Sequence, residues 1–141
     1  MSGAGIWFGI EDGVFWAAFR GRFSDDDFGR YLEAVPAAVG SSDFRGLMFT
    51  FAESPRMPSA TQRKGLSDLV ESGVVSALER HAIASDSAIT RGVVTAMNWV
   101  SSKPYDERIF PSPGAALRWL GELDPSVNAS LWETVSASIR S

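Results

Sequence analysis

Asp12-Gly13 is the feature that most narrows what this chain can form. It separates two apolar-rich runs, residues 6–10 and 14–23. A two-residue type I′ turn needs positive φ at both central positions, which Asp-Gly tolerates, so the runs read as a β-hairpin. The turn also sets the register. Ile10 falls opposite Phe15, Phe8 opposite Ala17 and Ile6 opposite Phe19, which makes one apolar face. The other face carries Trp7, Trp16, Ala18, Arg20 and Arg22. Two tryptophans on that face leave three readings open: core beneath helices or a C-terminal tail, an interface with a second chain, or a surface for a partner.

After the hairpin the apolar period changes. Ser24 reads as an N-cap with Asp25, Asp26 and Asp27 in the first turn, and Phe28, Tyr31, Leu32, Val35 and Val39 recur at helical spacing. Pro36 is expected to kink or shorten this helix, and Gly40-Ser41-Ser42 to stop it. Residues 45–51 form a short buried strand. Ser59 and Gln62 then have capping-box form and open a second helix. Its inner stripe is Leu66, Leu69 and Val70; Gln62, Arg63, Lys64 and Asp68 are expected to face outward.

Residues 77–84 return as a strand. They break at Ser85-Asp86-Ser87 and continue as a helix from Ala88, with Ile89, Val93, Ala96, Met97 and Val100 on one face. A short edge strand follows at 107–110. A helix capped by Ser112 with Pro113 at its first position comes next. A last helical piece is expected from Asp124, with Val127, Leu131, Val135 and Ile139 at spacings of four. Trp132 lies off that stripe and is the best candidate for an exposed anchor. The tail can pack back on the domain or pair with another chain.

The order of elements predicts one α/β domain over residues 5–122. It would hold a mixed four- to five-stranded sheet opening with the hairpin and helices mainly on one face, followed by an amphipathic helical tail at 123–141. At 141 residues the chain suits a single domain. A formal net charge of −4 argues against a sequence-independent nucleic-acid surface. With no cysteine and one histidine, a thiolate or multi-histidine metal site is not available within one chain, and no metal or cofactor is expected. No apolar run approaches the roughly 20 residues of a spanning helix, and residues 1–13 lack the form of a signal peptide, so residence in the cytoplasm is expected.

Several residues then look familiar: the opening hairpin into Phe23-Ser24-Asp25-Asp26, Gln62-Arg63, the run from Ala82 to Ser87, and Arg91-Gly92 and Trp99. So do Glu107-Arg108-Ile109-Phe110 and the stretch from Ala115 to Leu120. Over about residues 5 to 122 the chain resembles the SpoIIAA-like group, also described as STAS/SEC14-like domains. The resemblance implies a small regulatory or scaffold domain acting through protein–protein contact rather than an enzyme, with lipid or nucleotide binding in some relatives. It also implies a phosphorylatable serine where a helix follows the third strand, in an Asp-Ser-x-Gly context. The nearest equivalent is Ser59, in Pro58-Ser59-Ala60-Thr61, without that Asp and Gly.

The expected function is therefore to bind a protein partner, with Trp7, Trp16 and Trp132 as candidate contact residues and homo-oligomerisation compatible with it. The alternative is a small anion, lipid or nucleotide held at the Ser85-Asp86-Ser87 turn with Arg91, where a helix N-terminus offers free N–H groups. Capping of the helix from Ala88 is the simpler explanation of Asp86 and Ser87. His81 reads as a buried or edge histidine; a triad with Ser85 and Asp86 fails because all three lie on one short segment.

Overall fold

The hairpin forms in the register the turn demands. The structure, a computed structural model, describes residues 4–53, 59–88, 91 and 105–140. Strands β1 (Gly5–Glu11) and β2 (Val14–Arg20) pair antiparallel, with Ile10 opposite Phe15, Phe8 opposite Ala17 and Ile6 opposite Phe19. Asp12 (φ 54°) and Gly13 (φ 82°) both take the left-handed conformation of a type I′ turn.

Helix α1 (Asp25–Val39) starts where Ser24 Oγ accepts the Asp27 N–H, and it runs through Pro36 for three further residues before Gly40 ends it. Strand β3 (Leu47–Glu53) lies parallel to β2. Helix α2 (Ala60–Glu71) carries the full capping box: Gln62 N–H donates to Ser59 Oγ and Ser59 N–H to Gln62 Oε1. A 3₁₀ turn (Val74–Ala77) leads to β4 (Arg80–Ser85), and β5 (Asp106–Phe110) completes the sheet. Helix α3 (Pro113–Gly121), capped by Ser112, and helix α4 (Ala129–Arg140) follow. The expected helix beyond Ala88, including its stripe from Ile89 to Val100 and Trp99, lies outside the described residues apart from Arg91.

The strands stand in sequence order, β1-β2-β3-β4-β5, all parallel from β2 onward. Right-handed crossovers that always step the same way return on the same side of a sheet. Helices α1 and α2 accordingly share one face, over Phe15, Ala17, Met48 and Leu78. The opposite face, with Val14, Trp16, Ala18, Leu47, Phe49 and Phe51, is covered by α3 and by α4. Among the described residues two helices lie on each side, the tail helix α4 being one of the pair on the second face. The tail closes the second face because Val127, Leu131, Val135 and Ile139 supply the apolar stripe that Trp16 and Phe51 need. The stripe was read correctly, but its helix starts at Ala129 rather than Asp124. Asp124 Oδ1 instead accepts the Ser126 N–H and hydroxyl, and Asn128 Oδ1 accepts the Ser130 N–H, each a local turn that competes with a helix start. The Ser126 hydroxyl and N–H, and then Arg45, hold the Asp124 carboxyl below its ordinary range. Strand β4 likewise begins at Arg80, not Ala77, because the preceding residues wind into the 3₁₀ turn.

Candidate functional site

The carboxyl ends of the parallel strands are where an α/β domain usually keeps its chemistry. Here those ends carry Arg20, Glu53 and Ser85, and the first two are bound to each other. Arg20 Nε donates to Glu53 Oε1 at 2.7 Å, and Arg20 Nη1 reaches the Ile139 carbonyl at 3.2 Å, tying α4 to the sheet. Gln62 Nε2 donates to Asp25 Oδ1 at 2.9 Å. Gln62 was expected to face outward. It is buried, because its position on α2 faces α1 and its amide joins two helix N-termini. A ligand crevice in such sheets forms where strand order reverses and neighbouring helices diverge to opposite faces. The sequential order of these strands provides no such reversal.

The Ser85-Asp86-Ser87 turn forms with Ser85 buried and Asp86 exposed. The Ser87 N–H donates to Ser85 Oγ at 3.2 Å. Arg91 Nη1 donates to the Ser85 carbonyl at 2.8 Å, while the Arg91 N–H bonds the Ser87 carbonyl at 3.0 Å. Arg91 is thus held at the end of β4, as its spacing from the turn suggested. Ser59 is exposed, and its hydroxyl oxygen caps α2.

The three tryptophans lie together on the α3–α4 side of the sheet. Trp16 is 6% exposed and belongs to the core; Trp7 and Trp132 are half-buried against it. The ring of Trp132 meets Phe51 edge-on at 4.8 Å, so it closes the seam between α4 and the sheet instead of standing free as an anchor. The Arg20 guanidinium lies 5.8 Å over the Trp7 ring.

A polar chain on the opposite face was not visible in the sequence. Thr50 Oγ1 and His81 Nε2 are 2.7 Å apart, and His81 Nδ1 and Glu107 Oε2 are 2.8 Å apart. The Tyr105 hydroxyl bonds Glu107 as well. With the carboxylate accepting from Nδ1–H, a neutral imidazole presents Nε2 as acceptor for the threonine hydroxyl. The order hydroxyl, imidazole, carboxylate matches a nucleophile–base pair with its orienting acid. Its setting differs: Thr50 and His81 are each 8% exposed. Two shallow clefts among the described residues lie elsewhere, one between α3 and α4 and one beside the hairpin turn. The chain fastens β3, β4 and β5 to one another. The triad imagined from Ser85, His81 and Asp86 does not form, since the imidazole turns to Thr50 and Glu107.

Burial first, and then the nearby Glu107 charge, push the Tyr105 phenol well above its ordinary range; burial does the same to Tyr31, with smaller contributions from Tyr105 and Glu107. These are the chain's two tyrosines. Raised folded values mean that their stabilising contribution is complete below about pH 10, where unfolded tyrosine titrates, and is lost as pH climbs toward the folded values. Stability should fall above about pH 10 by up to roughly 2.7 kcal/mol per pH unit when both phenols contribute. Ultraviolet titration checks this. Tyrosinate absorbance should rise together with unfolding, and a full tyrosinate signal in a still-folded chain would contradict the burial.

One comparison with known proteins bears on the fold. A search of solved structures finds an uncharacterised protein of the DUF3478 family with a SpoIIAA-like fold, from Shewanella loihica PV-4. It is 17% identical to this chain, with a TM-score of 0.59, and the match covers 85% of this chain and 95% of that one. No family model and no curated protein matches the sequence. The chain therefore has a SpoIIAA-like fold: a mixed five-stranded sheet in one α/β domain. Among the described residues no helix is long and apolar enough to cross a membrane.

Proposed function

We propose that this chain is a non-catalytic regulatory domain that works by binding another protein, and that helix α2 is the contact element. The observation that carries this reading is how α2 sits. Its main neighbours among the described elements are α1 and the 3₁₀ turn, and Leu66, Leu69 and Val70 rest at the margin of the core cluster beneath. Gln62 is its buried residue, whereas the apolar stripe of Leu66, Leu69 and Val70 stays half-buried. A helix with a partly covered stripe is ready to have that stripe completed by a partner. Arg63 and Ser67 are exposed along its rim.

Affinity capture with cross-linking from the protein's own cells tests this. Wild type should capture a partner, and Arg63→Glu with Ser67→Glu should reduce capture at least tenfold without loss of fold. Unchanged capture would remove α2 from the account, and no capture at all would remove the reading. Regulation fits at Ser59: a phosphate there would sit at the start of α2 and bring negative charge toward Asp25, which Gln62 bridges to the same cap. Intact-mass analysis of the cellular protein reads that directly, and a chain always unmodified at Ser59 contradicts it.

A second reading has its own observation, the Arg91 guanidinium fixed beside the Ser85-Asp86-Ser87 turn. A small anion there would gain a cation and a helix start. Thermal shift with inorganic phosphate, compared between wild type and Arg91→Ala, decides it: equal shifts remove this site.

A further inference from the structure

The two edges of the sheet are built differently. Strand β5 is five residues long and begins Asp106-Glu107-Arg108, the kind of short charged edge that resists added strands. Strand β1 is seven residues, Gly5-Ile6-Trp7-Phe8-Gly9-Ile10-Glu11, with no lysine, no proline and one charge at its end. In a two-residue hairpin the residues flanking the turn, Glu11 and Val14, form a hydrogen-bonded pair, so Gly5, Trp7, Gly9 and Glu11 spend their backbone groups on β2. The backbone N–H and C=O groups of Ile6, Phe8 and Ile10 point outward. Among the described residues no backbone segment pairs with them. Phe8 is also one of the exposed large apolar residues, at 37%.

The geometry points to a second copy of this chain as the occupant: β1 pairs antiparallel with β1 of another molecule about a two-fold axis at Phe8. The sequence of the strand is self-complementary in that one register. Phe8 meets Phe8, and Ile6 meets Ile10 on both sides of the axis. These are the three outward-facing positions, so about six hydrogen bonds form. On the opposite face each Trp7 meets a Gly9, a large side chain against none. Each Glu11 falls opposite a Gly5, which keeps the two carboxylates roughly 20 Å apart at about 3.4 Å per residue. Glu11 is already engaged by the Thr134 hydroxyl at 2.7 Å. The result is a continuous ten-stranded sheet with an isologous interface. The inference stands apart from the reading of α2, which lies on a different surface.

Sedimentation combined with amide hydrogen exchange tests it. Wild type should pass from monomer to dimer with rising concentration. The Ile6, Phe8 and Ile10 amides should slow at least tenfold as it does so, while the Trp7 and Gly9 amides stay protected throughout. Phe8→Lys, which places a charge on the edge and leaves the hairpin bonds untouched, should raise the dimer dissociation constant at least tenfold. A wild type that stays monomeric through high micromolar concentration overturns the proposal. So does a dimer whose Ile6, Phe8 and Ile10 amides exchange as fast as in the monomer. The exchange measurement needs only wild type, so it decides the matter even if Phe8→Lys fails to fold.

Discussion

A chain cut after Glu122 is expected to lose cooperative folding. The residues removed include Val127, Leu131, Val135 and Ile139, all buried, with Leu131 and Val135 at 0% exposure. Burying four such side chains contributes roughly 6–12 kcal/mol as an upper estimate, which rivals the whole stability of a typical domain. Their loss would also bare Trp16, Phe49 and Phe51 on the sheet beneath and release Arg20 from the Ile139 carbonyl. Leu131→Ala is the graded version. It should cost about 2–5 kcal/mol, the range for a leucine cavity in a packed core. Urea unfolding of the full-length variant measures this, and tryptophan emission reports the truncation. A truncated chain that still unfolds in one sharp transition, with Trp16 shielded, would show that the tail is an accessory and not half of a core.

The second large effect is expected at Glu107. Glu107→Ala removes the acceptor for both His81 Nδ1–H and the Tyr105 hydroxyl. Each donor left unpaired costs about 1–3 kcal/mol, so the variant should lose roughly 2–6 kcal/mol. Glu107→Gln keeps an acceptor oxygen and should lose less. It should also bring the Tyr105 phenol partway down, because the carboxylate charge is one cause of its raised value, while burial keeps it above the ordinary range. Urea unfolding and tyrosinate titration read the two effects separately. A Glu107→Ala stability within about 0.5 kcal/mol of wild type, the usual spread for surface changes, would mean that water replaces the carboxylate and the chain from Thr50 to Tyr105 is not a closed element.

Local chemistry was legible in the sequence; contacts between distant segments were not. Asp12-Gly13 set the hairpin register residue by residue, since a type I′ turn leaves no freedom in pairing. Ser24, Ser59 and Ser112 capped the helices they were expected to cap, because a cap needs only the next three residues. Gln62 was misplaced because its partner, Asp25, is 37 residues away on another helix. Thr50, His81 and Glu107 meet only once β3, β4 and β5 are neighbours in a known order. Alternation gives each side chain a face, but it does not say which strand lies beside it. The tail's stripe was plain and its destination was not: an amphipathic helix fits equally well against its own sheet or another chain until something is seen to need covering. Trp16 was that something, and its place on the hairpin's second face was known from the register alone.

Hydrogen exchange on the complex with a captured protein partner shows directly whether this SpoIIAA-like domain binds through α2. Exchange should slow over residues 66–71 and stay unchanged at Ser85, Asp86 and Ser87. Protection at the Ser85–Ser87 turn with α2 unchanged would contradict that binding mode.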